Sequence, residues 1–162
     1  MFFSVPPRTR KEFMVHRCSI DAWRIFKKYH YLSEDISKCA QCYGLFDGDN
    51  IVGFCGVTHF PHPKNSKLKR GHRLVLLPDY QGIGLGMKFF NIIADIYNEQ
   101  GYDFTVTNSS IALINGLKKD KRWIMTRYGK NVPSGHSYMK GLYRSSERIT
   151  ASFIRPRNTV VD

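Results

Sequence analysis

With 162 residues, 42% of them hydrophobic and 14% aromatic, the chain has the size of one domain and enough apolar material for a core, which excludes a disordered segment. Its 25 Lys plus Arg against 13 Asp plus Glu leave a formal charge of +12, a surplus that calls for an anionic partner: nucleic acid, an anionic membrane or a polyphosphate cofactor. No apolar run approaches the ~20 residues of a membrane span, and Pro6-Pro7-Arg8 cuts short the apolar start before a signal sequence could form. Cys18, Cys39, Cys42 and Cys55 therefore read as reduced thiols of a cytoplasmic protein.

Residues 1–10 read as a loose basic arm and 156–162 as a tail around one domain over 11–155. Residues 11–17 alternate as a first strand should. Ser19 or Asp21 can cap a helix running through Trp23, Ile25 and Phe26 towards Tyr31. Residues 33–38 are polar and loop-like. The runs 39–46 and 51–60 are strand-like, and Asp47-Gly48-Asp49-Asn50 between them predicts a hairpin turn. A basic loop follows over 61–71, then a short strand over 73–77 closed by Pro78. Beyond the glycine-rich stretch 81–86, Leu85, Phe89, Ile92, Ile93 and Ile96 recur at helical spacing until Gly101. A strand over 104–107, a short helix over 110–117 and strands over 122–128, 138–143 and 149–154 complete a mixed α/β order.

The informative segment is Leu76-Leu77-Pro78-Asp79-Tyr80-Gln81-Gly82-Ile83-Gly84-Leu85-Gly86-Met87. A strand runs into a glycine loop that opens a helix. Glycines allow close backbone approach, and the unpaired N–H groups of a helix start attract phosphate. A dinucleotide fingerprint needs G-x-G-x-x-G, whereas the glycines here run G-x-G-x-G; a Walker A loop needs Gly-Lys-Ser/Thr, whereas Met87 follows Gly86. A glycine turn that merely packs a helix on a strand is the structural alternative. Gln81, Gly84 and Gly86 satisfy the pattern Q/R-x-x-G-x-G/A, and the segment closely resembles the acetyl-coenzyme A loop of GNAT acyltransferases. The resemblance runs over roughly 39–128 and implies a single α/β (α+β) domain. Its mostly antiparallel sheet is flanked by helices, with two strands splayed at the coenzyme. It also implies that the amides of Gln81, Gly82, Ile83, Gly84, Leu85 and Gly86 bind pyrophosphate. The backbone of Val75, Leu76 and Leu77 then pairs with the pantetheine arm.

Acyl transfer to an amine requires a positioned neutral amine, a polarised carbonyl and a proton for the leaving thiolate. His30 and Tyr31 are the substrate-side candidates: an imidazole ordinarily titrates near neutrality, and a tyrosine can donate a proton or stack on a base. Capping of a helix end by His30 is the bland alternative. Tyr128 and Tyr138, after the second helix, stand roughly where this family often carries a tyrosine near the leaving sulfur. Asn108 and Ser109 are contacts to pantetheine or substrate, or caps of the next helix. Cys39-x-x-Cys42 and His59-x-x-His62 have the residue types of a zinc site, but the sixteen-residue spacer and strand alternation favour ordinary thiols, and no metal is expected.

The cations Lys64, Lys67, Lys69, Arg70, Arg73, Arg122 and Arg127 are candidate nucleic-acid contacts, interleaved with aromatic residues as single-strand binders often are. His30-Tyr31-Leu32, the hairpin, His72-Arg73 and Asn108-Ser109 together resemble phage Mom-type proteins. That family modifies the exocyclic amine of adenine in DNA and protects phage genomes from restriction. Three functions stay open: a coenzyme-dependent enzyme acting on DNA or RNA, a small-molecule or protein N-acetyltransferase, and a non-catalytic nucleic-acid- or partner-binding module.

Overall fold

An antiparallel meander forms one half of the sheet. Strands β2 (Glu12–Arg17), β3 (Gln41–Asp47), β4 (Asn50–His59) and β5 (Leu68–Leu76) pair in sequence order, and β1 (Phe2–Ser4) adds to the edge of β2. The computed structural model describes residues 2–4, 11–30, 35–130 and 149–158. Gly48, at φ +59, gives the β3–β4 hairpin its tight turn. Strand β6 (Asp103–Asn108) then pairs parallel to β5. Among the described residues β8 (Ile149–Arg155) lies between β6 and the outermost strand, β7 (Ile124–Lys130), giving an eight-stranded order β1-β2-β3-β4-β5-β6-β8-β7.

A parallel pair needs a crossover, which α2 (Leu85–Glu99) supplies. Its buried stripe of Leu85, Phe89, Phe90, Ile93, Ala94 and Tyr97 packs on Leu45, Phe104, Val106 and Phe153. Gly84 at φ +77 starts this helix and Gly101 at φ +82 stops it, both conformations that glycine adopts without a Cβ penalty. Helix α3 (Ile111–Lys119) buries Ile114 and Leu117 in the same core. The short α1 (Trp23–Phe26) sets Trp23 and Phe26 against Cys42, Phe54 and Val75 in a second cluster. In β5, Leu74 and Leu76 join the first cluster while Val75 joins the second, so successive side chains reach opposite layers.

Several sequence expectations need correction. The first helix is three short turns, 3-10 over Ile20–Ala22, α over Trp23–Phe26 and 3-10 over Lys27–Tyr29. Its expected cap is present, with Ser19 Oγ accepting from Asp21 N at 3.2 Å. The basic arm contributes Phe2–Ser4 to the sheet, and in the tail Arg157 N donates to Asp103 Oδ1 at 2.7 Å. The strand expected at 73–77 begins earlier, at Leu68, and takes Lys69 and Arg70 out of the loop. The strand expected at 138–143 lies outside the described residues.

Candidate active site

The sheet opens between β5 and β6. Their parallel pairing runs from Leu68↔Asp103 to Gly71↔Val106 and stops. At the same place the pairing of β5 with β4 slips: Val57 faces Gly71 while Gly56 faces Arg73, leaving His72 as the extra residue of a bulge. A bulge bends its strand and sharpens its twist, and here it coincides with the point where β5 leaves β6. The resulting cleft holds about 950 Å³ and is walled by β5, β6, the start of α2 and α3.

Leu77 N donates to Val52 O at 2.9 Å. Alternation along an antiparallel strand then turns the backbone groups of Val75 towards β4 and those of Leu74 and Leu76 towards the cleft. Gln81 Nε2 donates to Leu76 O at 2.8 Å, tying the loop back to the strand that feeds it. Gly82 and Gly84 hold φ of +79 and +77, and a Cβ on either would meet nothing within 4 Å. These glycines serve backbone conformation and open space, not packing. At Gly86 a Cβ would lie 3.5 Å from Leu76 Cδ1, an ordinary contact without a special φ. Of the residues assigned to the cofactor from sequence, Val75, Leu76, Gln81, Gly82, Gly84 and Gly86 line the cleft, whereas Leu77, Ile83 and Leu85 do not. Leu85 is core, and Ile83 points to solvent.

On the opposite wall stand Tyr29 and His30. His30 follows the last helical turn with an extended backbone, φ −87 and ψ 131. It is the C-cap of that turn, as its position in sequence suggested, with its N–H donating to Lys27 O at 3.3 Å. Its ring meets that of buried Trp23 edge-on at 5.6 Å. Tyr31, its presumed companion, lies outside the described residues, as does Tyr138. Tyr29 escapes sequence reasoning, because nothing marks it out among nine tyrosines; it is 40% exposed and carries Lys28 Nζ 4.9 Å above its ring. Asn108 and Ser109 do line the cleft; Asn108 Oδ1 accepts from Ser110 N at 2.5 Å, a turn just ahead of α3, whose N-cap, Ser110, makes no side-chain capping bond. Asn115, Lys119 and Thr150 line it too, without any motif to announce them.

Tyr128 is a correction. It stands on β7, two strands beyond β6, outside the cleft lining and 58% exposed. Among the basic candidates, Lys64 and Lys67 remain exposed in the loop. Lys69 lies over the rings of Tyr102 and Tyr97, 4.6 and 5.6 Å away, and Arg70 over Phe60 at 4.9 Å. Burial pushes the Arg70 pKa down. Arg73 is only 7% exposed, donates to His72 O at 3.0 Å and lines the cleft, which removes it from any outer phosphate-binding surface. Arg122 is held by Asp120 through bonds of 2.9 and 2.7 Å, and this pairing depresses the Asp120 pKa to about 2. Arg127 stays exposed. Cys42 is buried and Cys39 exposed, and among the described residues no group of three His, Cys, Asp or Glu is placed to hold a metal. No helix among them is long and apolar enough to cross a membrane.

The fold is similar to that of known proteins. The sequence pattern of the acetyltransferase (GNAT) family matches residues 10–115. No curated protein matches the sequence. The ribosomal-protein-S18-alanine N-acetyltransferase of Escherichia coli superposes with a TM-score of 0.68 at 12% identity, covering 91% of this chain and 95% of that one. A Bacillus subtilis acetyltransferase in complex with CoA gives 0.63 at 12% identity, with 89% and 97% covered. A GNAT family acetyltransferase of Elizabethkingia anophelis with acetyl-CoA bound gives 0.61 at 12% identity, again covering 89% and 97%.

Proposed function

Because the chain belongs to the GNAT acetyltransferase family, we propose that it transfers an acyl group from acetyl-coenzyme A, or another acyl-coenzyme A, to an amine entering beside Tyr29 and His30. One observation carries this reading: β5 leaves β6 at Gly71↔Val106 and opens a cleft that ends at a positive-φ glycine loop and a helix start. The fit to the coenzyme is specific. The space beyond Gly82 and Gly84 is open where a Cβ would stand, so phosphate oxygens can reach the loop amides and the first N–H groups of α2. The cleft-facing backbone groups of Leu74 and Leu76 are hydrogen-bonding partners for the amides of an extended pantetheine arm. When bound, the coenzyme supplies an acyl group activated as a thioester.

What the chain's own residues contribute is placement and proton transfer. His30 would accept at a ring nitrogen the proton that the amine sheds as its nitrogen bonds to the acyl carbon and the C–S bond breaks, and can return that proton to the leaving thiolate. Asn108 and Ser109, at the end of β6, are polar groups in the lining of the same cleft, suited to orienting the acyl carbonyl and acceptor. Tyr29 presents a ring face at the mouth.

The acceptor in this reading is an amine of nucleic acid, with Mom-like modification of adenine in phage DNA, protective against restriction, as its sharp form. The support is the charge of +12, far more than a coenzyme's phosphates need. Four free thiols suit the cytoplasm. The test is mass spectrometry of nucleosides from DNA of cells expressing the chain. A new adenine species, absent with His30→Ala, is the expected result. Unmodified nucleosides together with acetylation of a protein or small amine would replace nucleic acid as the acceptor while leaving the acyl transfer intact.

A further inference from the structure

The tertiary structure separates the chain's cations into engaged and available ones. Lys69 and Arg70 are half-buried over aromatic rings, Arg73 is buried, and Lys27, Arg24 and Arg155 are paired with acids. One region is different. Over residues 118–130 there are six Lys and Arg against one acid, Asp120, and that acid is engaged by Arg122. Lys118, Lys121, Arg127 and Lys130 are exposed, with no ion pair to any described acid.

These residues form a ridge where α3 ends and β7 runs along the outer edge of the sheet. Tyr128 is in register with Ala151, which is buried in the main core, so Tyr128 points to the helical side of the sheet. Lys130, opposite Ile149, shares that side, whereas Arg127, opposite Ser152, points to the other face and donates to Lys130 O at 3.4 Å. Lys118 Nζ stands 4.9 Å above the Tyr128 ring, fixing an aromatic face that is otherwise open to solvent. The ridge borders the cleft: Lys119 and Thr150 line the cleft, and Thr150 is the partner of Gly129. The apolar residues of β7 divide between both faces, Ile124 opposite Ile154 and Met125 opposite Phe153. They offer no single apolar face to immerse in a bilayer, whereas cations around one exposed ring suit phosphates and a base.

We infer that this ridge holds a single-stranded segment of nucleic acid. Lys118, Lys121 and Lys130 contact phosphates, and an unpaired base stacks on Tyr128. The inference rests on the nucleic-acid reading above and adds where the strand lies.

The experiment measures anisotropy of a labelled single-stranded oligonucleotide against the full chain, from ~50 to ~200 mM salt. The variants are Lys118→Gln/Lys121→Gln/Lys130→Gln, Tyr128→Ala, Tyr128→Phe and, for comparison, Lys64→Gln/Lys67→Gln. Coenzyme affinity of each variant reports that it is folded. The triple variant should flatten the salt slope by about 2, at ~0.7 for each phosphate that a lysine no longer neutralises. Tyr128→Ala should weaken binding roughly 5- to 100-fold and Tyr128→Phe hardly at all, because stacking needs the ring and not the hydroxyl. Wild-type binding that the ridge variants leave unchanged, or that only Lys64→Gln/Lys67→Gln removes, overturns the ridge but keeps nucleic acid as partner. Preference for duplex over single strand, or binding of the wild type to anionic phospholipid vesicles that the ridge variants abolish while oligonucleotide binding stays, also overturns it. Absence of any binding by the wild type at low salt overturns both.

Discussion

The two ends of the cleft are built by different means. At one end, residues 81–86 form a loop whose conformation is set locally, by Gly82 and Gly84 at positive φ and by a single side-chain bond from Gln81 to Leu76 O. At the other end, Tyr29 and His30 emerge from three short helical turns and are placed by packing, with His30 against Trp23 and Trp23 against Phe54. The first end presents backbone and the second presents side chains. A backbone cradle tolerates change in every side chain that leaves φ and ψ alone. The side-chain wall depends on the identity of each residue and on the core beneath it.

That contrast can be broken most visibly at His30. His30→Ala should lower turnover by roughly 10²–10⁴-fold if the imidazole takes the amine proton, with coenzyme affinity nearly unchanged by calorimetry. Full turnover in a folded variant would make the acceptor wall purely structural. Gly84→Val should do the reverse. A β-branched residue at φ +77 is strained, and its methyls occupy the open side of the loop, so coenzyme affinity should fall by about 10²-fold. Gly86→Ala, with no special φ and ordinary contact to Leu76, should keep affinity within a few-fold. Equal losses at Gly84 and Gly86 would show that side-chain volume, not backbone conformation, governs the loop.

Smaller changes sharpen the same comparison. Gln81→Ala removes the 2.8 Å bond to Leu76 O and should cost about 1 kcal/mol in thermal or urea unfolding. A comparable loss of coenzyme affinity would place the Gln81 amide among the coenzyme contacts as well. Asp120→Asn lies at neither end and should move stability alone. The Asp120 pKa is lowered in the folded state, to about 2, so the wild type gains stability above the unfolded value of about 3.9. That gain fades as pH falls through about 2. Since Arg122 is half exposed, the difference between the two proteins should not exceed about 1 kcal/mol. Denaturation curves that differ equally at every pH would assign the effect to packing.

The glycine loop was legible in the sequence because its chemistry is contiguous. Helical spacing after Leu85 and the stop at Gly101 agree with the observed α2, and the Asp47-Gly48-Asp49-Asn50 turn agrees with the observed hairpin. Local backbone preferences write such features directly into neighbouring residues. The cation inventory misled for the converse reason. In sequence Lys69, Arg70 and Arg73 form one basic stretch with Lys64 and Lys67, yet a strand alternates its faces. Rings or the core take those three, leaving the loop lysines outside.

By itself the sequence determined a single mixed α/β domain, a helix opened by glycines after a strand, and an excess of positive charge. Each depends on interactions within a few residues or on composition alone. Only the tertiary structure decided that the sheet parts at the His72 bulge, that Tyr29 joins His30 in the cleft, and that Tyr128 leaves it for the outer edge. Those outcomes follow from which strands become neighbours. Strand order is fixed by burial of residues far apart in the chain, such as Phe90 with Phe104 and Trp123, and no local pattern encodes it.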